Sequence, residues 1–314
     1  MEAGFFYYII GILKLFLFMQ HDEAVIGSSF KHCEKIAKEH YENFPVGSLL
    51  VPKDKRKYIW AVYAFARFAD DIADSRELTM DEKETRLDTL ESELDKAYEG
   101  IFDGLSEESG RFFPALWATS KELGIPKYEF SDLLTAFKQD AVQSRYESFN
   151  DLLEYSKYSA NPIGHLVLYV FGYHPDSEKE LFNYSDHICT ALQLTNFWQD
   201  VSMDLKIDRI YIPLEIMKKN NYTVENLTEG IEDERFQRII KELVDKTREI
   251  FEKGRPLINC LKGRLKLEIK ATYLGGNSIL DKIEKINYKV ITERVKLSKS
   301  DTGSIFLKTL IKKI

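Results

Sequence analysis

Cysteine is nearly missing from this sequence: Cys33, Cys189 and Cys260 are the three among 314 residues. They are odd in number, far apart and without the spacing of a zinc ligand set. That excludes a disulfide framework and points to buried thiols in a reducing compartment. The six histidines include no pair one helical turn apart, so a histidine-based metal site has no foundation either. Alternating runs of β-branched residues between turn signals are almost lacking, which leaves little from which to build a sheet. No Gly-x-Gly-x-x-Gly strand–helix motif occurs, so no recognisable nicotinamide-binding fold is expected. Blocks of basic residues are missing too, and the formal charge of −7 speaks against nucleic acid as a partner.

What is present is a helical pattern. Hydrophobic residues at 44% and charged residues at 30% suit a globular protein with a real core. Apolar residues recur at three- and four-residue spacing over about 28–42, 54–74, 80–99, 109–123, 127–172, 178–206 and 232–290. The eight prolines fall mostly where that periodicity breaks; Pro162 stands inside it and predicts a bent or broken helix. Residues 99–110 and 219–230 read as polar loops, too short for linkers, and there is no internal repeat. The expected fold is all-α, a single-domain helical bundle over 28–297, with 298–314 as a C-terminal tail. Residues 1–27 form an apolar extension, in which 5–18 (FFYYIIGILKLFLF) is interrupted only by Gly11 and Lys14. A spanning helix needs roughly 20 apolar residues, and no basic leader or cleavage site is visible. A membrane-surface segment, a helix packed on the body and an upstream-start extension are the open readings, the first being favoured. The chain is expected in the cytoplasm, with peripheral contact to the inner face of the membrane admitted.

Two acidic clusters break the apolar pattern. In Arg67-Phe68-Ala69-Asp70-Asp71-Ile72-Ala73-Asp74, Asp70 and Asp74 are one helical turn apart, with Arg67 one turn earlier. Like charges at that spacing cost about 0.2–0.5 kcal/mol, and nothing structural is gained in such apolar surroundings. In the stretch 193–204 (QLTNFWQDVSMD), Asn196, Asp200 and Asp204 follow at four-residue steps, and Gln193 adds an oxygen one turn before. Each cluster alone reads equally well as a solvated helix end. Two oxygen-only stripes set among aromatic and aliphatic residues suit magnesium, which takes a few carboxylates and completes its shell with water and phosphate. An acid–base carboxylate pair would need fewer oxygens. Aromatic residues, 13% of the chain, could line an apolar cavity, and Phe65, Phe197, Trp198 and Tyr155 are the candidates nearest the motifs.

With these motifs the chain resembles the squalene/phytoene synthase family, through 61–74 (AVYAFARFADDIAD), 193–204 and 208–213 (DRIYIP), and more weakly from about 30 to 295. The resemblance implies an isoprenoid-synthase fold with the two acidic motifs facing across a central cavity. It implies Asp70, Asp74, Asn196, Asp200 and Asp204 as ligands of two or three magnesium ions that share the substrate diphosphate. Arg67, Arg209 and Arg294 would hold diphosphate, and His40 and Asn43, in HYENFP, would occupy the phosphate-contacting end of the first family helix. Gln193 and Gln199 would contact substrate, and Tyr155 would lie near the reacting carbons. Gln199 stands where the family often has arginine, and Ala160-Asn161-Pro162 where many members read Ala-Gly. HYENFP, SANPIG and NFWQDV look like the bacterial hopanoid-pathway branch. That branch ionises presqualene diphosphate and lets water trap the cation as hydroxysqualene. Complete condensation of two farnesyl diphosphates, with or without NADPH, is the alternative, and a non-catalytic assembly protein the remote one. NADPH is not favoured, although relatives that use it bind it without a Gly-rich fold. Oligomeric state is left open.

Overall fold

A computed structural model describes residues 23–39 and 51–311; the stretch 5–18 and the residues His40 and Asn43 lie outside these. The described chain is helical almost throughout. Helices α1 (23–39), α2 (Arg56–Ala73), α3 (Met80–Tyr98), α4 (Phe113–Leu123) and α5 (Tyr128–Val142) are followed by α6 (Phe149–Ser159), α7 (Asn161–Val170) and the long α8 (Pro175–Gln199). Then come α9 (Val201–Asp204), α10 (Leu214–Lys219), α11 (Val224–Thr228), α12 (Glu234–Gly254), α13 (Pro256–Cys260), α14 (Gly263–Lys285) and α15 (Lys299–Ile311). Among the described residues the one β-type pairing is an isolated bridge between Arg145 and Ile210.

Local chemistry sets where helices start. Thr79 and Glu82 form a reciprocal capping box at the head of α3, as Ser148 and Asp151 do at α6. Each cap is worth about 1 kcal/mol. Tertiary packing decides the rest. Along α12, Phe236, Ile239, Ile240, Leu243, Val244, Ile250 and Phe251 are buried at three- and four-residue spacing, and this stripe lies along α8. The two backbones approach so closely at Gly254 that a Cβ there would stand 2.9 Å from both the Ile188 amide nitrogen and the Tyr184 carbonyl. Only glycine fits.

Two apolar cores share α8. One gathers residues of α2, α3, α4, α5 and α7 around the N-terminal half of α8. The other gathers α6, α10, α12 and α14 around its C-terminal half. The uniform helical periodicity is cut more often than the sequence suggests. The predicted 127–172 helix is three, parted at 143–148 and again at Ala160 (φ −117°, ψ −43°). The break expected at Pro162 is thus present, with the proline in the first turn of α7, where its missing N–H is harmless. The predicted 178–206 helix stops at Gln199, and the 219–230 loop contains α11. The stretch 298–314, set apart as a tail, contains α15, which packs on α14.

Candidate active site

Three helices end on acidic residues. Asp70 and Asp74 close α2, Asp140 lies in the last turn of α5, and Asn196 and Asp200 close α8. A helix C-terminus already carries roughly half a negative charge, which lysine or arginine in the last turn usually offsets. Helices α3, α4, α6, α12 and α14 follow that habit, whereas α2, α5 and α8 carry no basic residue in the last turn. The negative potential is left for something else to meet.

Part of it is met by three arginines. Arg67 Nη2 lies 2.5 Å from Asp71 and its Nη1 3.3 Å from Asp70. Arg209 Nη2 donates to Asp74 at 3.1 Å and to the Asp140 carbonyl at 3.3 Å, joining the ends of α2 and α5. Arg294 Nε donates to Asp200 at 2.7 Å. Arg209 reaches its place because Asp208 adopts a left-handed turn (φ 58°) and the Arg209 amide donates to the Asp204 carbonyl at 2.9 Å. The first acidic motif, Asp140 and the second motif thereby border one region. The carboxylates still outnumber the guanidinium groups. Burial, then the charge of Asp74, raises the Asp70 carboxyl above its usual range. Burial, then the charge of Asp200, pushes Asp204 up to about 7. In both, burial and like charge outweigh the lowering effect of the arginines.

An aromatic wall stands beside the acids. The rings of Phe197 and Tyr211 stack at 3.8 Å with 8° between their planes, Tyr146 stacks on Tyr211 at 5.6 Å, and Tyr155 lies 6.1 Å from Phe197. The Tyr155 hydroxyl donates to Asp140 Oδ2 at 2.9 Å, and the other oxygen, Oδ1, is buried with no partner among the described residues. Burial pushes Asp140 up to about 6, against the lowering effect of the Tyr155 hydrogen bond. Beside the wall, Asp204, Arg209, Phe197 and Tyr211 line a pocket of about 10 Å³, room for one water. Arg67 and Asp71 border a larger one of about 220 Å³ with His32 and Arg111.

The other predicted residues distribute unevenly. Gln193 is half-buried and Asn196 exposed on the last turns of α8. Gln199 turns its amide nitrogen to the Val295 carbonyl at 2.8 Å and so ties the end of α8 to the segment carrying Arg294. Asn161 is committed to packing, accepting from Thr190 Oγ1 at 3.0 Å. Of the four aromatic candidates, Phe65 is core among Phe112, Phe113 and Phe130, and Trp198 is core with its indole donating to Thr247. Tyr155 and Phe197 belong to the wall. Asp140, Tyr146 and Tyr211 were missed. Asp140 alone left a signal: it continues the apolar stripe Phe130–Leu133–Phe137 at the position of a core residue, where a carboxylate is out of place.

The squalene/phytoene synthase family model matches residues 37–301. The chain belongs to the squalene/phytoene synthase family. Curated relatives include the hydroxysqualene synthases of Rhodopseudomonas palustris, 33% identical over 82% of this chain and 83% of that protein, and of Sinorhizobium fredii, 31% identical over 83% and 85%. The 15-cis-phytoene synthase of Synechocystis is 29% identical over 86% of this chain and 81% of its own length. Among solved structures, the squalene synthase HpnC of Alicyclobacillus acidocaldarius superposes with a TM-score of 0.76 at 33% identity, covering 84% of this chain and 98% of that one. A dehydrosqualene synthase shares the fold at a TM-score of 0.77 and 23% identity, over 91% and 96%. The all-α isoprenoid-synthase bundle is thus the fold of this family member. No described helix is long and apolar enough to cross a membrane.

The donor set fits magnesium in a particular way. Among the described residues, no three His, Cys, Asp or Glu side chains converge as a ready-made metal cage. Magnesium seldom uses such a cage; it binds through one or two carboxylates and takes its other ligands from water and substrate phosphate. Oxygen-only acids at helix ends linked through Arg209 suit that habit.

Proposed function

We propose that this family member ionises presqualene diphosphate and lets water capture the carbocation, giving hydroxysqualene. The observation that carries the reading is the surplus of carboxylates at the ends of α2, α5 and α8, set against an aromatic wall and bridged by Arg209. The similarity to two hydroxysqualene synthases, and glutamine instead of arginine at 199, support this branch.

In the reaction the carbon–oxygen bond breaks heterolytically and diphosphate leaves with the electron pair. Magnesium held by Asp70, Asp74, Asn196, Asp200 and Asp204 would supply charge neutralisation of the leaving group. Arg67, Arg209 and Arg294 exchange their carboxylate partners for diphosphate oxygens, so the same guanidinium groups serve the empty and the filled site. The free faces of Phe197 and Tyr155 stabilise the cation by about 0.5–2 kcal/mol each without offering it a nucleophile, and Tyr211 backs Phe197. When water adds, its oxygen forms the new bond and one proton must leave. Tyr155 takes it while passing its own to Asp140, whose affinity for protons near neutrality suits the task. No reductant takes part.

Incubation with presqualene diphosphate and magnesium, followed by mass spectrometry of the extract, tests the reading; hydroxysqualene is the expected product. A second reading, full condensation of two farnesyl diphosphates, draws support from the phytoene synthase relatives and the squalene synthase structure. Turnover of farnesyl diphosphate to squalene or dehydrosqualene, compared with and without NADPH, would favour it.

A further inference from the structure

The C-terminal helix is fastened by one side and bare on the other. Ile305 and Thr309 are buried, Lys270 Nζ donates to the Thr309 carbonyl at 2.8 Å, and Lys282 pairs with Asp301 at 2.8 Å. The opposite arc carries Phe306, Leu307, Leu310 and Ile311, exposed by 59, 59, 57 and 75%. Positions 306 and 310, and 307 and 311, are one turn apart, so the four side chains form one patch. Leu297 stands near it, exposed by 38%, and Phe306 and Leu310 also border an apolar groove of about 250 Å³ between α14 and α15. Elsewhere among the described residues the exposed large hydrophobics are scattered from Met80 to Ile207. A continuous exposed apolar patch is a contact surface.

Charge says what it contacts. From 296 to 314 the sequence holds Lys296, Lys299, Lys308, Lys312 and Lys313 against Asp301 alone, within a chain of net −7. Pairing with the same face of a second copy would bring the lysine-flanked edges of the two copies together. A surface that is apolar in depth and anionic at its boundary meets both features at once. We propose that α15 docks on an anionic lipid bilayer, Leu307 and Ile311 entering the acyl region while Lys299 and Lys308 face the headgroups.

The test is co-sedimentation of the full chain with phosphatidylcholine vesicles, with and without phosphatidylglycerol. Leu307→Ser with Ile311→Ser removes the half of the patch that does not border the groove, and leaves the contacts that fasten α15. Lys308→Glu reverses a flanking charge. The parent is expected to bind the anionic vesicles and to bind the neutral ones far less. The double variant is expected to partition at least about tenfold more weakly with unchanged circular dichroism, and Lys308→Glu several-fold more weakly. Equal binding by parent and double variant overturns the proposal, as does binding that ignores vesicle charge. Self-association in sedimentation velocity that the double variant abolishes, with vesicle binding intact, overturns it in favour of a second copy. A full-length Phe16→Ser/Phe18→Ser variant separates the N-terminal apolar run: loss of all binding there, with none lost in the α15 variants, also overturns it.

Discussion

Two groups of carboxylates in this chain meet opposite electrostatic fates. Glu129 and Asp186 flank His165, whose ring nitrogens lie 3.0 and 2.6 Å from them. Burial alone would lower that imidazole, but its hydrogen bonds to Asp186 and Glu129 outweigh burial and push it up to about 9. The imidazolium bonds both acids directly, although burial still raises Glu129 above its usual range, and the arrangement pins α7 between α5 and α8. At the ends of α2 and α8 the acids outnumber their arginines, and Asp70 and Asp204 are each raised by burial and by an acid of their own motif, Asp74 and Asp200. The first group is architecture. The second is read, under the proposed function, as a site that takes its balancing charge from metal and substrate, although both groups combine acids with cations on neighbouring helices.

The largest effect expected from breaking this contrast falls on the second group. Asp200→Asn should lower turnover of presqualene diphosphate by about 10³-fold, the scale of losing one pre-arranged charge contact, while Tm stays level or rises. Next comes the proton path. Asp140→Asn should cost about 10²-fold and remove the limb of the rate profile that rises through pH 6, because Asp140 works as the base only when ionised. Asp70, Asp74, Arg209, Tyr146, Tyr155 and Tyr211 face it, so the parent's limb is expected to be broad.

The first group should respond in stability instead. His165→Phe leaves Glu129 buried without its cation, an effect of about 3 kcal/mol or roughly 6–10 °C in Tm, read by thermal denaturation, with turnover per folded molecule retained. Because His165 binds its proton more tightly when folded, its contribution is complete below about pH 6.5 and is lost as pH rises through about 9. The smallest effect has the opposite sign. Asp204 is raised from 3.8 to about 7, so the folded state holds the extra proton and stability falls as pH rises across that window. Asp204→Asn should flatten that slope and raise Tm at pH 8 by about 3–5 °C, the linkage being reduced by partial exposure to solvent. A loss of stability there would mean that the second group is structural after all.

The helical fold was legible because its signal is local. Apolar spacing and proline positions announce helices, and the acidic steps 70/74 and 196/200/204 are written in the chain itself. The breaks at 143–148 and at Asp200 were not legible, since they depend on what α6 and α12 pack against. The same holds for the aromatic wall. Phe197 and Trp198 are neighbours in sequence, yet the helical turn between them sends one ring to Tyr211 and the other to Thr247. Tyr211 and Tyr146 meet because the Ile210 amide donates to the Ser144 carbonyl, a pairing across more than sixty residues that no periodicity records. Asp140 lay between these cases, visible as a charge on an apolar stripe but without anything in the sequence to say which acids it would join.

Calorimetric titration of magnesium into the protein, with and without inorganic diphosphate, tests the central claim most directly. Magnesium uptake is expected to be weak alone, strong with diphosphate, and at least about tenfold weaker in both Asp70→Asn and Asp200→Asn, since each acidic motif contributes to one shared site. Uptake that is unchanged in either variant, or indifferent to diphosphate, would contradict a metal site completed by the substrate across α2 and α8.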